Sequence, residues 1–185
     1  MMSRNLALYG MMGVGKSTVG RALARRLGRR FADTDEELRR WSGRSIPELF
    51  AEHGEDGFRD LERQVIEELA TFHDLVLSLG GGAVLRDDNV ANLLLTGVLV
   101  ELHAPVEVLT ERLRHTAADR PLLAGGDVAT RLRETAEARE ERYLAVGDVR
   151  IDASGAVDDV VEEVLHWALQ AGDVLTPSEH EQVMT

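Results

Sequence analysis

Eight residues near the N-terminus, Gly10-Met11-Met12-Gly13-Val14-Gly15-Lys16-Ser17, constrain the fold more than any other part of the chain. Asn5–Tyr9 before them reads as a short buried strand. After them Val19, Leu23 and Leu27 recur at helical spacing, and Gly28 is a natural stop. A strand, a glycine loop and a helix in that order turn backbone N–H groups inward around an anion. Lys16 sharpens the assignment, because it is the only lysine among 21 basic residues. A compact ammonium reaches phosphate oxygens that a planar guanidinium serves poorly. Ser17 adds a hydroxyl of the kind that binds Mg²⁺. Gly13, Val14, Gly15, Lys16, Ser17 and Thr18 are therefore expected to cradle a nucleoside triphosphate.

The rest of the chain alternates strand and helix patterns. Phe31–Asp33, Leu75–Leu79, Val98–His103 and Val149–Asp152 read as strands. Helices are expected from Asp35 to Trp41, Pro47 to His53, Phe58 to Thr71, Asn89 to Leu95, Pro105 to Arg114, Val128 to Leu144 and Val157 to Ala171. Such alternation implies an α/β domain built on a parallel sheet. A single domain is expected over residues 1–171. The segment 115–126 lacks a clear period and is expected to act as a mobile lid, and residues 172–185 are expected to be a disordered tail.

Composition removes several classes of function. A net charge of −12 leaves no basic tract for nucleic acid. The absence of cysteine excludes disulfides and thiolate metal sites. Leu6–Tyr9 is too short for a signal peptide, and no apolar run approaches a membrane span. A cytoplasmic location and a monomeric state are the expectations. With one lysine, the Asn-Lys-x-Asp motif of guanine-nucleotide switches cannot occur.

Further polar clusters suggest transfer to a small molecule. Asp33-Thr34-Asp35 ends the second strand, where parallel sheets bind ligands. Strand alternation would turn both carboxylates into the cleft, one toward Mg²⁺ and one toward an attacking hydroxyl. The same residues also suit a helix cap followed by an acidic first turn. Arg59 and Glu62 stand one helical turn apart, suited to a surface pair or to an arginine fork oriented on a carboxylate. Gly80-Gly81-Gly82 allows close backbone approach to a ligand. Arg120 lies in Asp119-Arg120-Pro121 of the lid, and Arg139 in Arg139-Glu140-Glu141-Arg142-Tyr143.

In this order the clusters resemble the shikimate kinase family, from about Leu6 to Ala171. The landmarks are the phosphate loop, Asp-Thr-Asp, Arg-Ser-Ile followed by Phe-x-x-x-Gly-Glu, Gly-Phe-Arg-x-x-Glu, Ser-Leu-Gly-Gly-Gly-Ala and Arg-Pro-Leu-Leu. The resemblance implies a P-loop fold of the nucleoside-monophosphate-kinase type. That fold has a five-stranded parallel sheet flanked by helices, a substrate-binding segment at about 33–62 and a lid. It implies transfer of the ATP γ-phosphoryl group to shikimate, giving 3-phosphoshikimate and ADP, on the route to aromatic amino acids. It further implies Ser17 and Asp33 at Mg²⁺, Asp35 at the substrate hydroxyl, and Arg59, Gly80, Gly81, Gly82 and Arg139 around its carboxylate. Lys16 and Arg120 would meet the ATP phosphates, and Arg112 or Arg114 the adenine, with Arg114 carried as the nucleotide contact.

The chain departs from the family in having Arg139-Glu-Glu-Arg-Tyr143 where Arg-x-Pro-Leu-Tyr is usual, and in a lid segment with no lysine and few glycines. A gluconate-type sugar-acid kinase and a catalytically silent nucleotide-binding module remain as rivals. No histidine has metal-ligand spacing with another, and His103 and His115 carry weak expectations of ligand contact.

Overall fold

The computed structural model describes residues 3–114 and 127–184. Five strands form one parallel sheet: β1 (Asn5–Tyr9), β2 (Arg30–Asp33), β3 (Leu75–Ser78), β4 (Gly97–His103) and β5 (Val149–Asp152), in the order β2-β3-β1-β4-β5. Crossovers between parallel strands require intervening helices. These are α1 (Lys16–Leu27), α2 (Thr34–Ser42), α3 (Ile46–Leu69), α4 (Asp87–Thr96), α5 (Val106–Leu113) and α6 (Val128–Val146), while α7 (Val157–Ala171) follows the last strand. Covered on both faces, the central strands β1 and β3 are buried at every position.

Local chemistry explains most of the helix boundaries. Asp33 caps α2, its Oδ1 accepting the Asp35 and Glu36 N–H groups at 3.0 and 3.2 Å. Ser45 and Glu48 form a reciprocal capping box at the start of α3, with proline in its first turn. The two helices expected between Pro47 and Thr71 run as one element that breaks its helical conformation at Gly54 (φ 69°). A short 3₁₀ turn, Ala83–Leu85, follows the three glycines.

The C-terminus corrects an expectation. Residues Pro177–Met184 form an eighth helix, α8, where a disordered tail was anticipated. Val174 and Leu175 are buried just before it. Glu179 accepts two hydrogen bonds from the buried Arg29 guanidinium, at 2.7 and 3.0 Å, and also receives the Thr176 N–H. Polar composition suggests disorder only when a segment has nothing to dock on, and here α1 supplies the dock. The lid segment 115–126, with His115 and Arg120, lies outside the described residues.

Candidate active site

The carboxyl ends of three neighbouring strands open on a cleft of about 350 Å³. From the loop after β1 it receives Gly13, Gly15, Lys16, Ser17 and Thr18. The β2–α2 junction supplies Asp33 and Asp35, and the segment after β3 supplies Gly80 and Gly81. Sheet register places Ser78 between Asp33 and Leu8. Ser17 Oγ then donates to Asp33 Oδ2 at 2.7 Å and lies 3.1 Å from Ser78 Oγ. Hydroxyl and carboxylate oxygens so close together are hard donors of the kind Mg²⁺ takes.

The loop is bent as its glycines permit. Gly15 has φ 103°, which turns the chain into α1 with no side chain to obstruct the helix N-terminus. Lys16 folds back, its Nζ donating to the carbonyls of Gly10 and Met11 at 2.9 and 3.0 Å. Val14, unlike the glycines on either side of it, has its side chain in the core. Its carbonyl accepts from Arg112 Nη1 at 3.2 Å, and the same guanidinium reaches the carbonyls of Ala153 and Ser154. Of Arg112 and Arg114, it is therefore Arg112 that touches the phosphate loop. Arg114 is exposed and pairs with Glu111 at 3.0 Å.

Asp33 and Asp35 both line the cleft, but strand alternation is not the reason. Helix α2 begins at Thr34, so one Asp33 oxygen caps the helix while the other takes the Ser17 hydroxyl. The helix cap and the partner of the Ser17 hydroxyl are the same residue. Thr34 Oγ1 accepts the Gly80 N–H at 2.9 Å and so ties this junction to the glycine segment.

Each of the three glycines faces a different charged group. A side chain on Gly80 would run into Glu62 Oε1 and stand 3.4 Å from Asp35 Oδ1. One on Gly81 would meet Arg139 Nη1 at 3.3 Å, and one on Gly82 would strike the Arg59 guanidinium. Asp35, Arg59 and Arg139, far apart in sequence, thus share one wall.

Arg59 Nη1 donates to Glu62 Oε2 at 2.8 Å. Glu62 is fully buried, and its Oε1 has no hydrogen-bond partner among the described residues. Burial pushes Glu62 above the usual carboxylate range; Arg59 opposes that through charge and hydrogen bond, Asp35 adds to it, and Arg139 opposes it more weakly. The pair is thus buried beside the glycine segment, and the alternative of a surface pair fails.

Arg139 and Tyr143 both donate to the Gly81 carbonyl, at 2.9 and 2.5 Å. Arg142 is turned away from the cleft to the Val84 carbonyl. Several cleft residues were not singled out from the sequence, among them Met12, Glu36, Arg39 and Ser78. Ser78 alone had a usable signal, since it directly precedes Leu79 and the three glycines.

One cluster outside the cleft joins a histidine to two carboxylates: Glu101, His103 and Glu140 lie within 4.8 Å of one another. Arg150 donates to all four of those carboxylate oxygens, at 2.8 to 3.0 Å. One guanidinium therefore already occupies all four carboxylate oxygens and offsets one of the two negative charges.

Comparison with known proteins agrees with this geometry. The shikimate kinase family model matches residues 12–169. A shikimate kinase of Synechococcus is 46% identical over 162 residues, 87% of this chain and 82% of the relative. One from Symbiobacterium thermophilum is 42% identical over 171 residues, 91% and 98% of the two chains. The structure of Acinetobacter baumannii shikimate kinase in complex with shikimate superposes with a TM-score of 0.87 at 38% identity, covering 92% of this chain and 95% of that one. A gluconokinase from Sinorhizobium meliloti shares the fold at 22% identity and a TM-score of 0.63. With the P-loop cleft, the three-glycine wall and these matches in hand, the chain belongs to the shikimate kinase family.

Proposed function

We propose that the protein transfers the γ-phosphoryl group of ATP to the 3-hydroxyl of shikimate, giving 3-phosphoshikimate and ADP. One observation carries the assignment to particular residues: Asp35, Glu62, Arg59 and Arg139 meet on Gly80–Gly82, beside the phosphate loop. An anionic polyol suits that wall. Arg59 and Arg139 offer paired N–H groups to its carboxylate, and an arginine fork does this better than a point charge. The buried Glu62 Oε1 is an acceptor for a hydroxyl proton.

The phosphate loop holds the triphosphate from the other side. Lys16 exchanges its two carbonyl contacts for phosphate oxygens, and the N–H groups at the start of α1 face the same charge. Asp35 orients the acceptor hydroxyl and takes its proton as the oxygen attacks. The O3–P bond forms, the bond to the β,γ-bridging oxygen breaks, and ADP leaves. Catalysis of this kind is mostly positioning and charge stabilisation. Ser17 and Asp33 would hold Mg²⁺, which when bound neutralises phosphate charge. Arg120 of the 115–126 segment is assigned to the ATP phosphates, and Arg112 to the nucleotide's edge.

Within the described residues no helix is long and apolar enough to cross a membrane. We place the enzyme in the cytoplasm as a monomer, which sedimentation of the purified chain checks. The deciding experiment measures ADP release with shikimate, quinate and gluconate in parallel. Shikimate is expected to have the highest kcat/KM. Preference for gluconate, or ADP release with none of the three, would overturn the assignment.

A further inference from the structure

We propose that Arg142 is a positioning residue: it fastens the wall of the acceptor pocket to the helix that carries Arg139. The inference rests on the assignment of that pocket to Arg139 and Gly80–Gly82. Residues 139, 142 and 143 fall at i, i+3 and i+4 of α6 and so share one helix face. All three donate to the stretch that follows β3. Arg139 and Tyr143 take the Gly81 carbonyl, and Arg142 Nε takes the Val84 carbonyl at 2.8 Å. Arg142 Nη2 also lies 2.7 Å from Asp87 Oδ1, in the first turn of α4, without the alignment of a hydrogen bond. One guanidinium therefore joins α6, the 3₁₀ turn and the next helix.

The wall needs such a fastening. Three successive glycines carry no side chains with which to anchor themselves, and glycine loses the most conformational freedom when ordered. Past Leu79, whose N–H still bonds the Leu8 carbonyl at 2.9 Å, the segment has left the sheet. Its backbone there bonds through the Gly80 N–H to Thr34 Oγ1 and through the 3₁₀ contacts Ala83 N–H to Gly80 and Leu85 N–H to Gly82, at 3.0 and 3.1 Å. Asn89 Nδ2 adds one bond to the Ala83 carbonyl.

Arg139 cannot be the permanent clamp, because the guanidinium that now holds Gly81 is the one assigned to the substrate carboxylate. Arg142 has no such second task. It does not line the cleft, and its bond to Val84 survives any rotation of Arg139. A leucine at this position could not make that bond. The charge that looks out of place in Arg139-Glu-Glu-Arg-Tyr143 is thus the wall's tie.

The test combines kinetics with amide hydrogen exchange on Arg142→Ala and Arg142→Lys. For Arg142→Ala, KM for shikimate is expected to rise about tenfold, the factor that losing one charge-assisted hydrogen bond implies. KM for ATP should stay unchanged. Exchange of the Ala83 and Leu85 amides should accelerate, and lysine, which can still donate to Val84, should restore both readouts in large part. An unchanged KM for shikimate, unchanged exchange, or an equal rise in KM for ATP would each overturn the role. A wild-type enzyme that fails to phosphorylate shikimate would refute the proposed function, while the exchange of Ala83 and Leu85 would still decide whether Arg142 ties the wall.

Discussion

At the residue scale, two carboxylates beside the same glycine have opposite surroundings. Asp35 lines the open cleft near the phosphate loop, whereas Glu62 is sealed beneath Gly80 with Arg59 on one oxygen. On the proposed mechanism Asp35→Asn removes the proton acceptor and keeps the shape. Its kcat should fall by about 10²–10⁴-fold with a much smaller change in KM for shikimate. A loss confined to KM in steady-state assays would make Asp35 a binding contact only. Glu62 leads to a pH prediction. Burial raises its pKa, so on acidification it takes up a proton at a pH above the ordinary carboxylate range. The neutral acid no longer attracts Arg59, so KM for shikimate should climb as pH falls through that point. Replacing Glu62 by glutamine should flatten this limb of the KM–pH profile. A limb that persists in the variant would assign it to another group. The sign is reversed for folding: between the unfolded and the raised native pKa the native state holds a proton that the unfolded chain has lost, so ionised Glu62 costs stability at neutral pH even as it serves binding.

At the scale of elements, the site is a set of junctions. Helix α2 starts where β2 ends, so Asp33 both caps the helix and faces the phosphate loop through Ser17. Helix α3 carries Arg59 and Glu62, α6 carries Arg139 and Tyr143, and the glycines after β3 let both helices approach one backbone. Gly82→Ala tests this directly, because the added methyl occupies the place of the Arg59 guanidinium. The variant should fold, keep its KM for ATP, and lose roughly tenfold or more in kcat/KM for shikimate, as expected when a reacting partner is misplaced. Unaltered kinetics would show that Arg59 is not a substrate contact. Most of the helices and strands were legible in the sequence, since periodicity and caps are local properties. The 3₁₀ turn at Ala83–Leu85 was not, because three residues carry no period.

At the scale of the whole molecule, the C-terminal helix closes the structure against α1. Arg29 is buried and makes four hydrogen bonds, two of them to Glu179 and the others to the carbonyls of Arg4 and Val174. Burial alone would raise Glu179, yet the bonds from Arg29 and Thr176 outweigh it and leave its pKa below the usual range. Its contribution to stability is therefore full above the ordinary carboxylate range and is lost as pH falls through the lowered value. Glu179→Ala leaves a buried guanidinium without its counter-charge. It should cost about 3 kcal/mol, seen as a lower midpoint in urea unfolding. An unchanged midpoint would reduce α8 to an ornament of the surface. Sequence by itself determined the phosphate loop, the parallel α/β alternation and the family, because each is written in residues close along the chain. Tertiary structure decided that Asp35, Arg59 and Arg139 share a wall, that Arg112 and not Arg114 borders the phosphate loop, and that the tail docks. These depend on contacts across long separations, where a residue's type shows what it can bond but not which partner the fold will bring to it.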